Sequence, residues 1–221
     1  MLKKLFSYII PIRILKQKSS ISESLEVTWA NGELVLDSKN TNYSYGSLQR
    51  ILRKGLKSIG FEKINTMNHI LVLGVAGGSV IKTLVNEVGY KGKITGVEID
   101  NAIISMANTY FKLDKIPNLE ICIDDAFEFV LKTKNQYNLI IIDVFQDTKM
   151  PNFLFERFFT DRLDIILSNF GIILFNTMIV EENQNKRNLN YISGFNAKKY
   201  TVRTIPRVER HNELIIIEKL N

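Results

Sequence analysis

HILVLGVAGGS, residues 69–79, is the stretch whose reading decides the fold. A run of apolar residues reaches Gly74, four small or short side chains follow, and Ser79 opens a segment with Val80, Ile81, Leu84 and Val85 at helical spacing. That order predicts a buried strand, a tight turn and a helix over 79–88. The same unit then repeats. Strands are expected at 93–98, 119–123, 139–143 and 172–177, alternating with helices at 101–111, 126–134 and 154–168, the last closed by Gly171. Short strands that are apolar on both faces need cover on both sides, which is the parallel α/β pattern. Runs at 200–204 and 213–218 are too close together for a helical crossover and should pair antiparallel.

Upstream of this core, residues 25–37 (LEVTWANGELVLD) form two short runs about Asn31-Gly32, a pair that accepts two positive φ angles and so predicts a β-hairpin. Residues 45–59 carry Leu48, Ile51, Leu52 and Leu56 at helical spacing before Gly60. The expected division is an N-terminal part, 1–60 (basic segment, hairpin and helix), packed on a ligand-binding α/β domain over 61–221. The first eighteen residues mix Lys3, Lys4, Arg13, Lys16 and Lys18 with apolar side chains. They could be a membrane-surface helix or a weak signal peptide. Pro11 interrupts the run and no small-residue cleavage site follows, so a segment packed on the domain, or frayed, is expected, with the cytoplasm as compartment.

The chain has 221 residues and a net charge of +6. It is long enough for one large core and short for two domains. The basic excess is not interleaved with aromatics, so no specific nucleic-acid signal emerges. One cysteine, Cys122, inside an apolar run, excludes an intramolecular disulfide and any cysteine-rich metal site. With only His69 and His211, in unrelated segments, no metal is expected. No run approaches the ~20 apolar residues of a membrane span.

In an open α/β sheet the ligand lies beyond the carboxyl ends of the strands. Small residues at 74–78 let the backbone turn and approach a ligand at a helix N-terminus. Glu98 follows the second strand and can accept both hydroxyls of a ribose; Asp100 is available to cap the next helix. Asp124, Asp125 and Ala126 follow the third strand, where one carboxylate can cap a helix and the other meet an adenine amino group. Asp143 follows the fourth. Each has a structural alternative alone; four at consecutive strand ends read as a nucleoside site.

GVAGGS (74–79), VEID (97–100), DDAFEF (124–129) and YNLIIIDVFQD (137–147) resemble spermidine synthase and its methyltransferase-like relatives, in order and at matching spacing. ELVLD (33–37) and Tyr45 resemble that family's short N-terminal β-region, and HNELIII (211–217) the final strand of the methyltransferase-like branch. The resemblance implies a doubly wound, mostly parallel seven-stranded sheet of methyltransferase type, ending in an antiparallel hairpin. It implies S-adenosylmethionine, or its decarboxylated form, as donor. Gly74, Val75, Ala76, Gly77 and Gly78 in the 74–79 loop would hold the donor's amino-acid end, Glu98 the ribose and Asp125 the adenine, with Ile99, Ala126 and Asp143 also among the donor-binding residues. Asp143 would face the acceptor as general base or orienting group. Family members tend to form homodimers, and the acceptor, small molecule or protein, is not readable.

The polyamine enzymes of the family carry Gly-Gly-Gly-Asp-Gly-Gly in the loop, with Asp facing the donor's cationic end. Here that position is Gly77. Their Tyr-His-Glu becomes Tyr45-Gly46-Ser47, their Asp-Ser-x-Asp-Pro becomes Asp143-Val144-Phe145-Gln146-Asp147, and their late aromatic segment is missing from 205–212. These departures put methyl transfer ahead of aminopropyl transfer; a nucleoside-binding fold without turnover is the third expectation. Tyr43 and Tyr45 either cover the ligand or pack as core, and Phe145, Phe153 and Phe155 either wall the acceptor or fill the core.

Overall fold

The computed structural model describes residues 2–19, 21–38, 42–44, 46–145, 149–209 and 211–221. A short helix α1 (Leu2–Phe6) leads into a four-stranded antiparallel sheet of β1 (Ile12–Gln17), β2 (Leu25–Ala30), β3 (Glu33–Ser38) and β4 (Asn42–Ser44), paired in sequence order. The predicted hairpin is β2–β3, turning at Asn31 (φ 50°) and Gly32 (φ 79°). The flanking strands were not anticipated. Within the basic segment, residues 12–17 pair with β2 as a strand.

Then follow α2 (Gly46–Ile59), α3 (Phe61–Asn65), β5 (His69–Leu73), α4 (Ser79–Thr83), β6 (Lys93–Glu98), α5 (Asn101–Phe111), β7 (Leu119–Ile123), α6 (Ala126–Lys132) and β8 (Tyr137–Ile142). The chain closes with α7 (Arg157–Ile166), β9 (Leu167–Met178), α8 (Glu182–Ser193), β10 (Tyr200–Val208) and β11 (Asn212–Lys219). The second sheet has the order β10-β11-β9-β8-β5-β6-β7. β5 to β9 are mutually parallel, and β11 is antiparallel to both β9 and β10, so the doubly wound seven-stranded sheet with its antiparallel end is as expected.

The strand pleat sorts the core. Ile70, Val72, Leu139, Ile141 and Leu174 face one side, with Ile51, Leu52 and Leu56 of α2 and Ile81 of α4. Leu71, Leu73, Ile140, Ile142 and Phe175 face the other, under Val130 of α6 and Phe159 and Leu163 of α7. Burial on both faces explains why these strands read as continuous apolar runs rather than alternating ones. A third cluster joins Leu25, Val27 and Leu36 of the small sheet to Ile103, Met106 and Phe111 of α5.

Four elements of the α/β core differ from expectation. The helix expected over 79–88 is α4 followed by a π-helical turn (Leu84–Val88), a widening that keeps Leu84 and Val88 buried. The helix expected over 154–168 is a 3₁₀ turn (Asn152–Phe155) followed by α7, and Gly171 lies within β9 rather than closing a helix. β9 starts early because Leu167 pairs with Tyr137 before a bulge; Leu139 then pairs with Ile172, and Phe170 takes φ 60°. The helix α8 was not read at all. Its sequence, ENQNKRNLNYIS, is polar around most of the cylinder, and it is set by a capping box between Glu181 and Gln184 with only Asn188 and Tyr191 buried.

Candidate active site

A cavity of about 700 Å³ opens at the carboxyl ends of β5, β6, β7 and β8. Gly74 and Ala76 line it from the turn after β5, Glu98 and Ile99 from the end of β6, Asp125 and Ala126 from the start of α6, and Asp143 from the end of β8. Three of the expected loop residues are not on this wall. Val75 turns into the core, Gly78 caps α4 with φ 80° where a Cβ would meet Leu113, and Gly77 is likewise not among the lining residues. Tyr45, Gln146 and Asp147 lie outside the described residues, as does the side chain of Tyr43.

Gly74 is required by geometry. At φ 84° its added Cβ would lie 2.2 Å from the carbonyl oxygen of Asp143, so β5 and β8 approach within backbone contact where the cavity begins. Glu98 is buried, and its carboxylate is satisfied by main chain. Oε2 accepts from the amides of Val75 (3.2 Å) and Ala76 (2.9 Å), and Oε1 from Asp100 (3.1 Å). A buried carboxylate without such partners would be costly. Desolvation raises its pKa, while these backbone hydrogen bonds oppose the rise. This is a structural duty that spacing did not reveal: Glu98 ties the glycine loop to β6. The loop's amides are therefore not simply presented outward, since Ser79 N also donates to Ser44 Oγ of β4 (3.2 Å).

Asp100 caps α5 through Ala102 N (2.9 Å), as expected, and its second oxygen accepts from Ser19 Oγ. Asp125 caps α6, its Oδ1 accepting from Phe127 N (2.7 Å), while Asp124 accepts from Asp125 N (2.9 Å). Both of these acidic residues line the cavity, so Asp125 combines capping with cavity lining rather than leaving one task to each.

Asp143 lines the cavity directly after β8. Burial pushes its carboxyl up from 3.8 to about 6; the hydrogen bond from Asn176 opposes this and the charge of Glu98 adds to it. Asn176 Nδ2 donates to Asp143 Oδ1 (2.8 Å), and Asn176 Oδ1 accepts from Asn212 Nδ2 (3.0 Å). Both asparagines are buried and line the cavity, and His211 joins them. Sequence reading missed all three. It looked only beyond strand ends, whereas β11 runs antiparallel and brings its beginning to this edge, Asn212 opposite Met178. Also missed were Ile21, Ser22 and Glu23, from the segment that leads from Ser19 into β2, and Leu48 and Ile51 of α2. Phe145 and Phe153 line the cavity. Phe155 instead packs in the core, 5.3 Å from Phe175 and 5.7 Å from Tyr191 by ring centre.

Six carboxylates line the cavity (Glu23, Glu98, Asp100, Asp124, Asp125 and Asp143), and among the described residues no lysine or arginine does. In a chain of net charge +6 this is a local inversion of sign. Such a surface favours a cationic occupant.

Polyamine aminopropyltransferase of Bacillus subtilis is 30% identical over 114 residues, 49% of this chain and 41% of that enzyme. The chain thus matches less than half the length of that relative. The fold is shared with spermidine synthase from Thermotoga maritima, at TM-score 0.74 and 18% identity over 95% of this chain and 73% of that one. It is shared too with human methyltransferase-like protein 13, solved in complex with SAH, at TM-score 0.66 and 18% identity over 80% of this chain and 83% of that one. The spermine/spermidine synthase domain matches residues 50–219, from α2 to the last strand, and the chain belongs to that family.

Proposed function

We propose that this chain transfers a group from an adenosyl sulfonium donor to a nucleophile held over Asp143, with methyl transfer from S-adenosylmethionine as the leading reading. The carrying observation is the convergence of Gly74, Ala76, Glu98, Asp125 and Asp143 on one cavity whose volume lies in the range of small-molecule sites. When bound, the donor supplies a carbon activated by its sulfonium. The residues contribute alignment and proton acceptance. In this reading Ala76 and Glu98 would meet the donor's tail and ribose, and Asp125, which has one oxygen engaged in its cap, would meet the adenine with the other. Asp143, at about 6, is largely ionised at neutral pH and close enough to it to take a proton from an attacking nucleophile.

Methyl transfer is preferred because Gly77 stands where the polyamine enzymes carry the aspartate that faces the donor's cationic end. A unit charge pair at 4 Å is worth roughly 4 kcal/mol at an effective dielectric of 20, before desolvation. Aminopropyl transfer is the second reading, supported by the carboxylate-lined cavity and by the relatives' names. Titration calorimetry with intact and decarboxylated donor separates them. Binding of the intact donor at least tenfold tighter supports methyl transfer, the reverse order favours aminopropyl transfer, and binding of neither sinks the proposal. Asp125→Asn is a sharper control than Glu98→Ala, because an amide oxygen can keep the cap on Phe127 N, whereas removing Glu98 releases the loop amides.

A further inference from the structure

We propose that residues 2–18 form a docking surface for an anionic lipid bilayer, held in a fixed pose by the turn between β2 and β3. Two independent features coincide there. The first 22 residues carry five basic side chains and no acidic one, so nearly the whole net charge of +6 resides in them. The same stretch presents Leu2, Leu5, Phe6, Tyr8, Ile9 and Ile10 to solvent, with Leu2 at 71% and Ile9 at 80% exposure. Leu2, Leu5 and Phe6 follow the i, i+3, i+4 spacing of one face of α1, and the chain turns back immediately after them through Ile9 N to Phe6 O (3.0 Å) and Ile10 N to Phe6 O (3.1 Å).

This apolar display is built rather than loose. Ser7, between the exposed residues, is buried; its carbonyl accepts from Asn31 N (2.9 Å) and its Oγ from Gly32 N (3.0 Å). Tyr8 lies so close over Gly32 that an added Cβ would strike its ring. Ser7 and Tyr8 thus fix the segment to the hairpin while Leu2, Leu5, Phe6, Ile9 and Ile10 stay exposed. Lys4 lies over the Trp29 ring, and Arg13 and Lys16 share Glu26, which leaves the segment positive overall. Apolar side chains flanked by lysine and arginine match the boundary of an anionic membrane, where the apolar groups enter the acyl edge and the cations meet headgroups. Among the described residues no helix is long and apolar enough to cross a membrane, so the association is peripheral.

Flotation of the full chain with vesicles of mixed phosphatidylglycerol and phosphatidylcholine, beside phosphatidylcholine alone, tests this. The expected result is co-flotation with the mixed vesicles, weaker by about tenfold or more on the neutral ones and after Lys3→Glu with Lys4→Glu. Leu5→Ser with Phe6→Ser and Ile9→Ser should abolish it while leaving the denaturation curve unchanged, since all three side chains are exposed. Absence of binding to the mixed vesicles, or binding indifferent to both variants, overturns the proposal. So does a dimer in light scattering that the triple serine variant dissociates, with no vesicle binding, since the face would then join two copies of the chain.

Discussion

Burial lifts the Asp143 carboxyl from 3.8 to about 6, so the folded chain holds that proton more tightly than the unfolded chain does. The resulting stabilisation is complete below about pH 4 and is lost as pH rises toward and through 6. At neutral pH the ionised group is therefore a net strain on the fold, kept because Asn176 and its partner Asn212 hold it in place. Asp143→Asn keeps an oxygen for Asn176 and removes the charge. We expect it to raise stability at pH 7.5 by about 2 kcal/mol, a rise of roughly 4–8 °C in melting temperature, and to lose that advantage below pH 4. Group transfer should fall by two orders of magnitude or more if Asp143 accepts the proton. A variant no more stable than the parent at pH 7.5 would contradict the desolvation argument, and a fully active one would remove Asp143 from the chemistry.

At the scale of the element, the junction of β5 with the following turn is the tightest point near the cavity. Gly74 and Gly89 both have positive φ, 84° and 77°, but a Cβ at Gly74 would meet Asp143 main chain at 2.2 Å whereas one at Gly89 meets nothing within 4 Å. Gly89→Ala should cost only the backbone term, about 1 kcal/mol. Gly74→Ala adds a clash that neither strand can relieve without separating β5 from β8, and we expect a loss of about 3 kcal/mol or more, together with loss of donor binding. Urea denaturation of the two variants measures the difference. Equal midpoints would mean that the strands yield more readily than their packing implies. α8 makes a complementary point: Asn188 donates to Thr177 Oγ1 and to Glu213 Oε2, both at 2.8 Å, so a helix with little apolar face is retained by hydrogen bonds to β9 and β11.

The whole molecule combines a basic exterior with an acid-lined cavity at one sheet edge, and a ligand there binds only the folded state. An adenosyl nucleoside at a hundred times its dissociation constant should therefore raise stability by about 2.7 kcal/mol, a shift of roughly 5–10 °C for a domain of this size. Thermal melting with S-adenosylhomocysteine, the product of methyl transfer, measures it; an unmoved melting curve at saturating concentrations would argue for a family member that has lost the donor site.

The parallel strands are legible because double-faced burial writes itself into composition: 69–73 and 137–142 are apolar nearly throughout, and the small and acidic residues just past them stand out against that background. Gly74, Glu98, Asp125 and Asp143 reached one cavity because parallel strands deliver their ends to the same edge. Local pattern carried no sign of Asn176, Asn212 or Ser22 as cavity residues, since a polar side chain in or beside a strand looks alike whether it meets water or a neighbour's carboxylate. Nor could it show that Glu98 spends its oxygens on the amides of the glycine loop. The sequence alone determined which segments become the central parallel strands, most of the helices between them, and where their acidic ends fall, because periodicity and turn chemistry are local. Only the tertiary structure decided which of those carboxylates face a ligand and which hold the backbone, because that depends on the antiparallel return of β11 and on the close approach of β5 to β8, contacts between residues far apart in the chain.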